Sequence, residues 1–269
     1  MTKERLDVLL VNGGFYESRE KAQRAIMAGL VRVNGDRADK PGTKIPEDAC
    51  LEVIGQEHPY VSRGGLKLER AIEVFSLELK GKTVLDIGAS TGGFTDCALM
   101  NGAEKVYAVD VGYGQLAWKL RQDERVVVME RTNFRYMKSE DLPGEKPDFA
   151  VIDVSFISLS LILPPLREML REEAKVIALV KPQFEAGKEQ VGKKGVVRDP
   201  AVHREVLLRF VTQAEEMGYQ VFGIAPSPIT GGGGNIEFLS YLGWPGGAEA
   251  NDWTPVIAEV VKEAHENQG

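Results

Sequence analysis

Thr83-Val84-Leu85-Asp86-Ile87-Gly88-Ala89-Ser90-Thr91-Gly92-Gly93-Phe94-Thr95 is the stretch on which the reading of the fold turns. It opens with a short apolar run rich in β-branched residues and passes directly into a loop of glycines and small residues. A helix-like pattern starts at Asp96. A buried strand, a tight turn and a helix start form the first unit of a doubly wound, mostly parallel α/β sheet. Glycine lets the backbone come close to a ligand above the strand's carboxyl edge, because no side chain stands in the way. Asp86, two residues before Gly88, sits where its carboxylate is expected to reach that ligand's polar groups.

A dinucleotide turn has the spacing G-x-G-x-x-G, and its second glycine makes room for a pyrophosphate. Ser90 stands at that place here, giving G-x-x-x-G-G behind an acidic strand end. Such a loop suits a nucleoside without phosphates, and S-adenosylmethionine is the expected cofactor. Gly88, Ser90, Thr91, Gly92, Gly93 and Phe94 are expected to surround it. Ser90 also disfavours a nicotinamide-dependent dehydrogenase. An ordinary βα turn with no ligand is the alternative for this stretch taken alone.

Reading outward, Lys105 to Asp110 is a second strand ending in an acid, the position from which a carboxylate commonly accepts hydrogen bonds from ribose hydroxyls. Val126 to Met129 is a third strand, and Glu130-Arg131-Thr132-Asn133 after it is expected on the adenine side, with Asn133 as the contact. Asp148 to Val154 and Ala174 to Val180 follow as strands, and Tyr219 to Ala225 and Ile236 to Leu242 finish the sheet. Thr254-Pro255 caps a last amphipathic helix with Val256, Ile257, Val260 and Val261 on its apolar face. Upstream, Gly64 to Phe75 reads as an amphipathic helix whose apolar set is Leu66, Leu68 and Ile72. Lys67 lies off that set, and nothing in the periodicity separates it from a solvated lysine.

Composition narrows the partners. The 269 residues are 43% hydrophobic and 27% charged, which is globular, with length for one large core or two domains. A net charge of -7 excludes a uniformly cationic nucleic-acid binder and leaves local patches. Cys50 and Cys97 match no metal or redox spacing and read as buried thiols in a reducing compartment. His58, His203 and His265 are too scattered in sequence for a metal site, so no metal is expected. The charged start Met1-Thr2-Lys3-Glu4-Arg5 has no apolar core, and no window approaches the roughly 20 apolar residues of a membrane helix, so a cytoplasmic location is expected.

The first residues read as a separate unit: a short helix from Arg5 to near Gly13-Gly14, then a second from Arg19 to Ala28, N-capped by Ser18 and closed by Gly29. Leu30 to Gly35 is a strand and turn, and Ala49 to Ile54 a returning strand. The order R-L-D-x-x-L, S-R-x-x-A-x-x-x-I-x-x-G-x-V-x-V-N-G, K-P-G resembles the small αL-type RNA-binding domain of a small-subunit ribosomal protein. That resemblance implies docking on structured RNA through Arg5, Arg19, Lys21 and Arg24, mostly by shape. Residues 1–60 carry nine Lys/Arg against ten Asp/Glu, so residue order rather than charge carries the likeness. The expected division is 1–58 for this domain, 59–63 for a linker and 64–269 for the α/β domain.

Asp153 and Lys181 fall at the carboxyl ends of predicted parallel strands, where α/β sheets place their ligands. Adjacent strand ends lie about 5 Å apart, so an Asp–Lys pair over one substrate atom is feasible. Glu237 follows a run of four glycines and Asn235. Methylating a ribose 2′-hydroxyl requires aligning oxygen, methyl carbon and sulfur and favouring loss of the hydroxyl proton. A partly buried lysine positioned by a carboxylate suits both tasks. Gly187 to Arg198 carries four cations among glycines and is expected to be a flexible loop meeting RNA phosphates through Lys188, Lys193 and Lys194.

With S-R-G-G-x-K-L, D-I-G-A-S-T-G-G-F-T-D, I-D-V-S-F-I-S-L, V-K-P-Q-F-E and G-N-x-E-F added, nearly the whole chain resembles the TlyA, or haemolysin A, family. Its members are ribosomal-RNA 2′-O-methyltransferases with an FtsJ-like catalytic domain, acting on cytidine riboses in small- and large-subunit rRNA. The resemblance implies a catalytic tetrad of Lys67, Asp153, Lys181 and Glu237, with Lys181 central, Asp153 and Glu237 orienting it and Lys67 holding the ribose. Asp153 is also expected at the cofactor. An RNA-binding protein with an inactive α/β domain is the nearest alternative. A membrane-lytic protein is disfavoured because no spanning segment or long basic amphipathic helix is visible.

Overall fold

In the computed structural model, residues 3–13, 15–16, 18–54, 58–247 and 251–267 are described; Met1, Thr2 and Gly14 of the segments read above lie outside them. The N-terminal unit holds β1 (Lys3–Arg5), α1 (Leu6–Asn12), α2 (Arg19–Met27), β2 (Val31–Val33), β3 (Asp36–Ala38), β4 (Lys44–Pro46) and β5 (Leu51–Val53). Ser18 caps α2 by accepting from the Lys21 amide at 3.3 Å, and Gly29 closes it at a φ of +72°. Strand β2 is central in the antiparallel order β3-β2-β5, and β1 pairs with β4. Leu6, Leu10, Ala22, Ala25, Ile26, Val31 and Ile45 close this unit's own small core.

The α/β unit continues with α3 (Gly65–Phe75), β6 (Thr83–Ile87), α4 (Gly93–Met100), β7 (Lys105–Val109), α5 (Trp118–Arg121), β8 (Val126–Met129) and β9 (Phe149–Ile152). It ends with α6 (Leu163–Met169), β10 (Ala174–Val180), α7 (Pro182–Glu185), α8 (Pro200–Glu216), β11 (Gln220–Pro226), β12 (Phe238–Trp244) and α9 (Thr254–Glu266). Among the described residues the strands form one sheet in the order β11-β12-β10-β9-β6-β7-β8. The five strands β10, β9, β6, β7 and β8 are parallel, and β12 runs antiparallel to both β10 and β11. Strands β6, β7 and β9 are apolar almost throughout because helices cover both sheet faces. One packed layer joins α8 and α9 to the sheet through Leu207, Phe210, Ile257 and Val261; the other joins α3 and α4 through Leu68, Ala71, Cys97 and Ala98.

This topology decides where chemistry can sit. The carboxyl ends of β9 and β10 are adjacent, and the antiparallel β12 begins at that same edge, directly after Glu237. Helix α4 begins at Gly93 rather than at Asp96, because Gly92, at a φ of +96°, turns the chain into it. Cys97 is buried, but Cys50 is exposed, just before β5 at the edge of the three-stranded sheet. His203 and His265, far apart in sequence, meet at 3.0 Å where α8 packs on α9. No helix among the described residues is long and apolar enough to cross a membrane.

Candidate active site

The turn from Gly88 to Gly93 is built by close approach. Gly88 has a φ of +86°, and a Cβ there would stand 2.5 Å from the Asp153 carbonyl oxygen, so the turn can lie flat against the end of β9 only with glycine. Ser90 adopts a φ of +50°, and its amide donates to Asp110 Oδ2 at 2.8 Å, while the Gly112 amide donates to Oδ1 at 2.7 Å. Asp110 thereby ties the turn to the loop after β7. Asn133 is exposed and accepts from the Arg135 amide at 3.2 Å.

Asp86 stands differently from the expectation. It is fully buried and does not line the cavity; its Oδ2 accepts from Thr95 Oγ1 at 2.6 Å, and its Oδ1 is buried with no partner. Burial pushes its carboxyl up to about 7, outweighing the Thr95 hydrogen bond. Its position is inside the strand, one residue before the end, where the side chain turns to α4 instead of to a ligand.

The tetrad residues converge. Lys67 Nζ lies 3.2 Å from Asp153 Oδ2 and 2.8 Å from Glu237 Oε2, and Lys181 Nζ lies 2.6 Å from Asp153 Oδ1. Asp153 therefore bridges the two ammonium groups, and two cations face two carboxylates. Lys181 also donates to Ser155 Oγ at 3.0 Å, and Gln183 Nε2 to Glu237 Oε1 at 3.3 Å. Burial opposes the charge on Lys67, but Asp153 and Glu237 overcome it and raise its pKa. Burial likewise opposes the Asp153 carboxylate, and Lys67 and Lys181 overcome it and hold it below the usual carboxylate range. Each ammonium has three donors and gives two to these partners, which leaves one on each for a substrate oxygen.

These groups border a cavity of about 550 Å³, inside the range of small-molecule sites. Its wall includes Gly88, Ser90, Thr91, Gly93 and Phe94 from the turn, all four tetrad residues, and Lys194. Gly92, Asp110 and Asn133 are outside it. At the rim, Phe156 is 91% exposed at a φ of +63°, and its ring centroid is 5.0 Å from that of Phe184. Asn235 fastens two loops over the cavity: its Oδ1 accepts from the Val197 amide at 3.0 Å, and its Nδ2 donates to the Gly195 and Gly232 carbonyls, both at 2.9 Å. Ser155, Gln183, Phe156, Phe184 and Asn235 carried no role in the sequence reading, although each lies within a motif already noted there.

The cations expected to meet RNA are less uniform. Arg5 and Arg19 both pair with the buried Asp7, at 2.9 and 3.0 Å, beside the Gln23 amide at 2.6 Å. Lys21 and Arg24 are exposed on α2, and Lys188, Lys193 and Lys194 are exposed after α7. Lys188 is in a short 3-10 turn over Lys188–Gln190. Lys21 borders a second depression, of about 500 Å³, that also touches Lys67, Ser90 and Thr91.

Comparison with known proteins bears on this arrangement. The FtsJ-like methyltransferase family model matches residues 60–244, and the S4 domain model matches residues 4–49. A Bacillus subtilis protein provisionally named as the rRNA methyltransferase YqxC is 62% identical over 98% of this chain and 94% of its own. The 16S/23S rRNA (cytidine-2′-O)-methyltransferase TlyA of Mycobacterium tuberculosis is 46% identical over 89% of this chain and 90% of its own. A solved Streptococcus thermophilus structure, provisionally called a hemolysin, superposes with a TM-score of 0.79 at 53% identity, covering 100% of this chain and 98% of that one.

Proposed function

Because this chain belongs to the FtsJ-like methyltransferase family and, with its S4 domain, to the TlyA (haemolysin A) group of rRNA methyltransferases, we propose that it methylates a ribose 2′-hydroxyl of ribosomal RNA, with a cytidine ribose as acceptor. S-adenosylmethionine is the proposed methyl donor, supplying when bound a methyl group activated by a sulfonium. The observation that carries the reading is the convergence of Lys67, Asp153, Lys181 and Glu237 on one cavity beside the Gly88–Gly93 turn. The turn fits a nucleoside: Gly88 and Gly93 leave bare backbone at the cavity wall, and the Asp110 oxygens retain lone pairs beyond the two amides they accept.

In this mechanism Lys67 holds the ribose with the donor that Asp153 and Glu237 leave uncommitted. Lys181 acts in its neutral form, reached when the proton not engaged by Asp153 or Ser155 passes to solvent. The lone pair so exposed accepts the hydroxyl proton as the oxygen takes up the methyl group. Asp153 fixes the Lys181 amine in place and compensates Lys67, while Glu237, held by Lys67 and Gln183, keeps Lys67 from turning away. The rim pair Phe156 and Phe184 supports the reading by offering an aromatic face beside the reacting ribose.

The proposed division is RNA docking by residues 1–58, a linker at 59–63 and catalysis by 64–269. Arg5 and Arg19 retain N–H groups beyond those given to Asp7, and with Lys21, Arg24, Lys188, Lys193 and Lys194 they are the proposed phosphate contacts. The test is transfer of tritiated methyl groups into ribosomal subunits, with cofactor binding followed by calorimetry. Lys181→Ala should end transfer while binding of S-adenosylmethionine persists. Transfer at the wild-type rate would remove Lys181 from the mechanism.

A further inference from the structure

Away from the cavity, on the β8 side of the sheet's carboxyl edge, two arginines lie over two exposed tyrosines. Arg131 Cζ is 4.0 Å from the centroid of the Tyr113 ring, and Arg135 Cζ is 5.5 Å from that of Tyr136. Tyr113 and Tyr136 are 70% and 69% exposed, and neither borders the 550 Å³ cavity. We infer that Tyr113, Arg131, Arg135 and Tyr136 form a docking surface for the phosphate backbone of the substrate RNA, outside the target nucleotide. This rests on the RNA reading given above.

Three observations favour that occupant. Neither arginine has an ion-pair partner among the described residues, unlike Arg70, Arg121, Arg125, Arg167, Arg171 and Arg209; Arg198 and Arg204 also lack one, but of these only Arg131 and Arg135 lie over an exposed ring. The carboxylates that end the two strands leading into these loops are already committed. Glu130 accepts from the amides of Gly114, Gln115 and Leu116 and pairs with Arg121, and Asp110 accepts from Ser90 and Gly112. In a chain of net charge -7, two guanidinium groups without a carboxylate partner give a local positive charge that suits an anion.

Their geometry is also set in advance. Arg131 holds a left-handed φ of +54°, pinned by its own amide to the Gly112 carbonyl and by the Thr132 amide to the Asp110 carbonyl, both at 2.9 Å. A guanidinium stacked on a ring keeps its N–H fork free at the edge, where it matches two phosphate oxygens. The open tyrosine faces suit an unpaired base. Strand β8 stands four places from β10 in the sheet, so this surface lies roughly 19 Å from Lys181 at about 4.8 Å per strand. RNA reaching both would be held several nucleotides from the methylated ribose.

The experiment compares the full-length wild type with Arg131→Ala, Arg135→Ala, Tyr113→Leu and Tyr113→Phe, using ribosomal subunits as substrate. Arg131→Ala should raise the KM for RNA on the order of tenfold and make the slope of log affinity against log salt shallower by about one. Arg135→Ala should act in the same direction. Tyr113→Leu should weaken RNA binding several-fold and Tyr113→Phe should restore it, since the stacking face returns without the hydroxyl. Affinity for S-adenosylmethionine, measured by calorimetry, should stay constant. An unchanged KM and salt slope, or a parallel loss of cofactor affinity, would overturn the inference while leaving the methyltransferase reading intact. A wild-type protein that neither binds nor methylates rRNA would overturn that reading and this surface with it.

Discussion

Replacing Asp86 by Asn should change stability with opposite signs at acid and at mildly alkaline pH. Asp86 is fully buried, accepts one hydrogen bond from Thr95 and leaves Oδ1 without a partner. Its carboxyl is pushed from near 3.8 to about 7, first by burial and then by the Asp153 and Asp110 charges. An acid with a raised folded pKa keeps its proton longer in the native state than in the unfolded chain. Stability is therefore undiminished below about pH 4, falls as pH rises from there to about 7, and stays lower above it. The full span corresponds to about 4 kcal/mol. Asn has no such dependence, but its amide meets the partnerless Oδ1 position and costs about 1–3 kcal/mol at every pH. Asp86→Asn should thus be less stable than the wild type below about pH 4, by about 1–3 kcal/mol, and more stable at pH 8, by about 1–3 kcal/mol, with the two curves crossing between about pH 4.5 and 6. His203, pulled down to about 4 by burial and His265, gives the opposite trend between pH 4 and 6.5, yet it is common to both proteins and cancels in their difference. Urea unfolding followed by tryptophan fluorescence at a series of pH values measures this directly. A stability difference that does not vary with pH would refute the reasoning.

Three further substitutions probe the site. Lys67→Ala leaves Asp153 and Glu237 without a shared cation and should cost about 3–5 kcal/mol in thermal or urea unfolding, with methyl transfer lost as well. Gly92→Ala places a Cβ 2.2 Å from Leu120 Cδ1 at a φ of +96°, so calorimetry should find cofactor binding strongly weakened. Asn235→Ala removes three hydrogen bonds, two of them to the neighbouring loop and one within its own, and should cost about 2–4 kcal/mol; hydrogen exchange at the Val197 amide should accelerate.

The sheet was legible because its strands are apolar runs ending at acids or glycines, and the turn after β6 because Gly88 and Gly92 hold φ values that favour glycine and Gly88 leaves no room for a Cβ against β9. Lys67 shows where local pattern stops. One place off the apolar stripe of α3, it reads as solvated, yet it is 8% exposed because carboxylates 86 and 170 residues away converge on it. Motif resemblance found it; periodicity could not. The same long-range assembly hid Asn235 and the contact of His203 with His265. Strand β1 escaped because Lys-Glu-Arg carries no alternating apolar pattern, and its identity comes only from pairing with β4. Asp86 was misplaced for a related reason: an acid near a strand end faces either the ligand or the neighbouring helix, and Thr95 decides for the helix.

The central claim is that the methyl group ends on a ribose oxygen. Ribosomal RNA incubated with the protein and isotopically labelled S-adenosylmethionine, digested to nucleosides and separated by mass spectrometry, should carry its label as 2′-O-methylcytidine. Label found on a base, or no label in RNA while the cofactor is bound, would contradict the account.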